Sequence, residues 1–111
     1  MREAWGLASN AYVANGSLVL RSERARVLAP DGTVYNFTSG AVTTKAAWSH
    51  GRICVRAKLP GTGEGEGRDD GVWPAHWLMP RDALSGHSCW PDEGEIDITE
   101  MVGRLGQPCC A

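Results

Sequence analysis

Apolar positions in this chain favour alternation over helical spacing, and turn residues cut them into short runs. Tyr12-Val13-Ala14 and Ser17-Leu18-Val19-Leu20 flank Asn15-Gly16. That pair predicts a two-residue hairpin turn, because both residues tolerate positive φ. Pro30-Asp31-Gly32 does the same between Arg26-Val27-Leu28 and Thr33-Val34-Tyr35-Asn36-Phe37. The β-branched run Ala41-Val42-Thr43-Thr44-Lys45 predicts another strand. Over residues 52–59, Ile53, Val55, Ala57 and Leu59 share one face, and Arg52, Cys54, Arg56 and Lys58 the other. This predicts a half-buried strand ending at Pro60. Residues 61–71 (GTGEGEGRDDG) have no apolar side chain and read as an acidic loop. Residues 72–79 (VWPAHWLM) read as a strand with its proline at the edge or first turn, 81–94 as a loop, and 95–102 (EIDITEMV) as a strand ended by Gly103. Short strands at turn-bounded intervals, with weak helix signals and no internal repeat, predict an all-β chain built as an antiparallel β-sandwich.

Composition narrows the classes. The chain has 111 residues, enough for one domain or a piece of one. It is 42% hydrophobic and 22% charged, which is globular rather than disordered. A net charge of −2 with no basic patch argues against nucleic acid as a partner. No apolar run approaches the roughly 18–20 residues of a membrane span. The first residues, Met-Arg-Glu-Ala-Trp-Gly, have no apolar core of a signal peptide. Cys54, Cys89, Cys109 and Cys110 allow two disulfides in three pairings, and a bridge between the adjacent Cys109 and Cys110 would be strained. No Cys or His cluster has metal spacing, so no zinc site is expected. Asn15-Gly16-Ser17 and Asn36-Phe37-Thr38 are glycosylation sequons, relevant only in a secretory pathway.

The chemistry concentrates in Glu95-Ile96-Asp97-Ile98-Thr99-Glu100. On a strand Ile96 and Ile98 point to a core, and Glu95 and Asp97 point the other way. Strict alternation would bury Glu100 beside the isoleucines, and a lone buried carboxylate is costly. One extra residue near Thr99, a β-bulge, returns Glu100 to the face of Glu95 and Asp97. Crowded carboxylates repel unless one holds a proton. Two carboxylates in unlike protonation states are what glycoside cleavage uses, one attacking or activating water and the other protonating the leaving oxygen. The same stripe also reads as a solvated acidic face on an edge strand. A metal-binding triad is a third reading, although EF-hand spacing and an accompanying His are both absent.

Trp73, Trp77 and Trp90 lie close to this strand in sequence. Flat indoles stack on sugar rings, and Trp73 and Trp77 share parity, as a platform requires. Core packing is the competing reading of each. Trp90 is placed to fold over the strand through the Pro91–Gly94 loop. Trp5 and Trp48 are assigned to packing, and His76, of opposite parity to Trp73 and Trp77, is not assigned as a base.

Together these stretches resemble glycoside hydrolase family 16, and within it the laminarinases, endo-β-1,3-glucanases. The resemblance rests on Asn15–Leu20, Ser39-Gly40 through Lys45, Gly51-Arg52 through Pro60, Trp73-Pro74-Ala75-His76-Trp77-Leu78-Met79-Pro80, and Trp90-Pro91 through Glu100. It runs from about residue 10 to about residue 106, so residues 1–111 are expected to be the N-terminal and central part of one such domain. The E-x-D-x-x-E form, with its bulge, is the laminarinase-like version of the motif. The resemblance implies a jelly-roll β-sandwich of the concanavalin A-like type, with Glu95 as nucleophile, Asp97 as assisting aspartate and Glu100 as general acid/base. It further implies a retaining double displacement on β-1,3- or mixed-linked glucan, with Trp77 and Trp90 lining sugar subsites and Trp73 supporting them. No cofactor takes part in that chemistry. Some members bind a structural calcium, for which no ligands are assigned here. The resemblance implies an extracellular or secretory location.

Two departures bear on function. The family's domain extends beyond the catalytic strand, where this chain reads Arg104-Leu105-Gly106-Gln107-Pro108-Cys109-Cys110-Ala111. The acidic segment 61–71 is longer than the family's usual loop. A non-catalytic glucan-binding module and an inactive fragment therefore stand beside the glycosidase as alternatives.

Overall fold

The computed structural model describes residues 4–60, 71–85 and 90–101. The chain forms two compact units, Met1–Ala46 and Ala47–Ala111. Among the described residues there is no α-helix, so the chain is all-β as expected.

The first unit holds β1 (Trp5–Gly6), β2 (Ala11–Ala14), β3 (Ser17–Leu20), β4 (Glu23–Leu28) and β5 (Val34–Ser39), with a short 3₁₀ turn at Ala8–Asn10. Strands β2 and β3 form the expected hairpin, with Ala14 opposite Ser17. Its tip has Asn15 at φ 49° and Gly16 at φ 73°, the two positive values a type I′ turn needs. Strands β4 and β5 form the second expected hairpin. The Gly32 N–H donates to the Ala29 carbonyl at 2.9 Å and Asp31 Oδ1 accepts from the Thr33 N–H at 2.9 Å, closing the Pro30-Asp31-Gly32 turn. A bulge between Arg24 and Val27 interrupts this ladder. Strand β1 adds to the far edge of β5 in parallel, the one pair among the described strands that departs from the antiparallel pattern.

The buried centre of this unit is small and partly polar. Ala29 and Tyr35 are buried, and Trp5 lies against Tyr35 with ring centroids 5.5 Å apart. Asn10 is also buried; its Nδ2 donates to Oγ1 of the fully buried Thr38 at 2.9 Å, and its carbonyl accepts from the Arg21 N–H at 2.7 Å. These bonds satisfy groups that would otherwise be costly to bury. Gly40 completes the node, since a Cβ there would lie 2.2 Å from the Asn10 carbonyl oxygen. Gly40→Ala must displace backbone, and we expect it to destabilise the protein by about 1–3 kcal/mol, measured as a lowered urea midpoint. An unchanged midpoint would place Gly40 outside the packing of Asn10.

Two expected strands do not form. Residues 41–45 and 52–59 join no sheet, and Ile53 and Val55 are 43% and 49% exposed rather than half-buried. Alternation and β-branching favour a strand only where a partner and a face to cover exist. Trp48, assigned to packing, is exposed. A 3₁₀ turn at Arg81–Ser85 replaces part of the expected loop 81–94. The acidic segment 61–70, the remainder of that loop at 86–89, and Cys89, Cys109 and Cys110 lie outside the described residues. Cys54 is free and exposed.

The second unit holds β6 (Ala75–Leu78) and β7 (Ile96–Glu100), an antiparallel pair. Pro74 directly precedes β6, so its missing N–H costs no internal ladder bond.

Candidate active site

The β6–β7 ladder decides which side chains share a face. Leu78 lies opposite Ile96, and Trp77 opposite Asp97. The next pair is His76 with Thr99, so Ile98 is an extra residue, and Ala75 then faces Glu100. This is the bulge inferred from the cost of burying Glu100. Residues directly opposite in an antiparallel pair project to the same side. Asp97 therefore shares a side with Trp77, and Glu100 with Ala75, two residues away on β6. The bulge holds the advance from Asp97 to Glu100 to one two-residue step of the partner strand, about 7 Å. Glu95 lies two residues before Asp97, on the same side by alternation. His76, paired with Thr99, falls on the opposite side, consistent with leaving it out of the site.

Two tryptophans reach this face edge-on. Trp90 Nε1 donates to Glu95 Oε2 at 2.8 Å, and Trp73 Nε1 donates to Glu100 Oε1 at 3.0 Å. Local sequence explains the first bond. The Gly94 N–H donates to the Pro91 carbonyl at 3.0 Å, and Gly94 has φ 80°, so Pro91-Asp92-Glu93-Gly94 turns tightly and returns Trp90 beside Glu95. The second follows from the ladder running past β6, where the Met101 N–H donates to the Pro74 carbonyl at 3.1 Å. That bond holds Trp73 alongside the end of β7. Sequence reasoning assigned both indoles to sugar stacking; their N–H bonds to the carboxylates were not anticipated. The turn signal at Pro91–Gly94 was the clue available for Trp90.

One expectation for the opposite side of β7 is corrected. Ile96 and Ile98 are 65% and 42% exposed, not buried in a core. Among the described residues β7 pairs only with β6, and alternation alone does not supply the elements that would cover this side.

The arrangement presents three carboxylates on one side of a twisted ribbon. Glu95 and Glu100 are each held by a neutral indole N–H donor. Among the described residues no group of His, Cys, Asp and Glu forms a metal-binding cluster. No described helix is long and apolar enough to cross a membrane.

The family model of glycosyl hydrolases family 16 matches residues 4–108. The chain belongs to this family. Its all-β strands are accordingly those of the family's jelly-roll β-sandwich. Among similar proteins, a beta-glucanase of Rhodothermus marinus is 40% identical over 94 residues, 85% of this chain and 29% of that protein. A glucan endo-1,3-beta-glucosidase of Cryptopygus antarcticus is 39% identical over 102 residues, 89% of this chain and 33% of that protein. A beta-1,3-glucan-binding protein of Penaeus monodon is 34% identical over 104 residues, 92% of this chain and 25% of that protein. The chain thus spans a third or less of the length of these relatives. No solved structure matches it significantly. Within this family 16 segment the acidic strand β7 has its bulge at Ile98 and pairs with β6, which carries Trp77.

Proposed function

We propose that this chain carries the catalytic strand of a retaining endo-β-glucanase acting on β-1,3- or mixed-linked glucan. The observation that supports the reading is the register of β7, whose bulge at Ile98 puts Asp97 and Glu100 on one side of the ribbon despite their odd spacing, with Glu95 directly before the strand. In this reading Glu95 attacks the anomeric carbon while Glu100 protonates the departing glycosidic oxygen, and Glu100 then takes a proton from the water that releases the product. Asp97 stands between them in sequence as the assisting aspartate that the family resemblance implies. Trp77, on the same side as Asp97, together with Trp73 and Trp90, offers flat surface to sugar rings. The chemistry calls for no cofactor, because both displacements use only the two carboxylates and water. A polymeric glucan places the activity outside the cytoplasm.

The experiment uses the protein as its source makes it, with laminarin as substrate. It follows reducing ends and the anomeric form of the first product by NMR. New reducing ends with the β-configuration first are expected. An α-product would overturn the retaining mechanism. A second reading, a non-catalytic glucan-binding module, is supported by the similarity to the Penaeus monodon glucan-binding protein. Binding of laminarin without any product would establish it. The crowding of three carboxylates favours the enzyme, since a binder gains nothing from their mutual repulsion.

A further inference from the structure

We infer that Trp90 and Trp73 are positioning residues for two different steps, Trp90 for the nucleophile and Trp73 for the general acid/base. The inference rests on the proposed glucanase reading and deepens it. An indole N–H donates and cannot accept, and its bond lies in the ring plane. Trp90 therefore occupies Glu95 Oε2, and Trp73 occupies Glu100 Oε1. That leaves Glu95 Oε1 for attack and Glu100 Oε2 for the proton, the two oxygens without a hydrogen bond from the described residues. In the first step Glu95 Oε1 bonds to the anomeric carbon as the glycosidic C–O bond breaks, and the leaving oxygen takes its electron pair and the proton of Glu100 Oε2. In the second, water attacks that carbon, gives a proton to Glu100, and Glu95 leaves as carboxylate. Both donors hold the outer oxygens through this cycle without changing protonation state. In-plane donation uses the ring edge and not its faces, and both side chains are well exposed, at 58% for Trp73 and 62% for Trp90. Stacking and positioning are thus separable: phenylalanine keeps an aromatic face and loses the N–H.

The test compares Trp90→Phe and Trp73→Phe in the protein as its source makes it, alongside Glu95→Gln. The substrates are laminarin and an aryl β-oligoglucoside with a good leaving group. A hydrogen bond to a charged group is worth about ten- to hundredfold in rate. On laminarin both Phe variants lose that factor in kcat, with KM within about twofold. On the aryl substrate, kcat/KM recovers in Trp73→Phe, because that leaving group needs little acid assistance, and stays low in Trp90→Phe. Wild-type kcat in either variant, a rise in KM alone, or a loss accompanied by a lost cooperative melt overturns the positioning role. Retained turnover in Glu95→Gln instead overturns the catalytic reading beneath it, so the two failures are distinct.

Discussion

On the proposed glucanase reading, Glu95→Gln is expected to remove reducing-end release from laminarin, by at least about a thousandfold, and to leave laminarin bound. The substitution is nearly isosteric. The amide oxygen of glutamine still accepts the Trp90 N–H that Glu95 Oε2 now accepts at 2.8 Å, so the loop Pro91–Gly94 keeps its place beside β7. What is lost is the negative oxygen that can bond to the anomeric carbon. The indole faces of Trp73, Trp77 and Trp90 are untouched, so the affinity for glucan, measured by depletion onto insoluble β-1,3-glucan, stays within a few-fold. The same change also removes one carboxylate from a face that holds three, which leaves the thermal midpoint equal or higher. A variant that still hydrolyses would remove Glu95 from the mechanism. A variant that loses binding together with activity would move Glu95 from chemistry to substrate recognition.

The site was legible in the sequence where a local rule has a single physical outcome. A shared face for Asp97 and Glu100, three residues apart, requires a bulge, and the ladder places it at Ile98, one residue from Thr99, although the isoleucine side expected to be buried is exposed. Asn15-Gly16 and Pro30-Asp31-Gly32 demanded turns, and both close hairpins. Legibility failed where the outcome depends on a distant partner. The alternation of residues 52–59 says which side chains would share a face, but it supplies no strand to pair with, and those residues stay out of the sheets. Burial of Ile96 and Ile98 needs covering elements that their local pattern does not supply, and among the described residues both are exposed. The Asn10–Thr38 bond joins residues 28 apart, and nothing in either local pattern signals it. The N–H bonds of Trp73 and Trp90 fall between these cases. Composition marks indoles as surfaces for sugars, whereas their donor role appears only once the turn and the ladder have set their edges against Glu95 and Glu100.

Glu100→Gln separates the two halves of the reaction. The amide oxygen can still accept the Trp73 N–H, so the end of β7 is held as before, but the group has no proton to give and no base to offer. On laminarin the alkoxide leaving group needs protonation, and turnover falls by about a hundred- to ten-thousandfold. On an aryl β-oligoglucoside the leaving group departs unaided, so Glu95 is glycosylated at nearly the wild-type rate. Water then attacks without a base to take its proton, and the glycosyl-enzyme accumulates. The expected trace is a burst of aryl release matching the enzyme concentration, followed by a slow steady state. A mass increase of one oligoglucosyl group on the trapped protein, mapped to the peptide containing Glu95, identifies the nucleophile directly. Equal losses on both substrates, with no burst, would mean that Glu100 is not the proton donor. The three carboxylates would then have to be reassigned, with Asp97, opposite Trp77 on the same side, as the remaining acid.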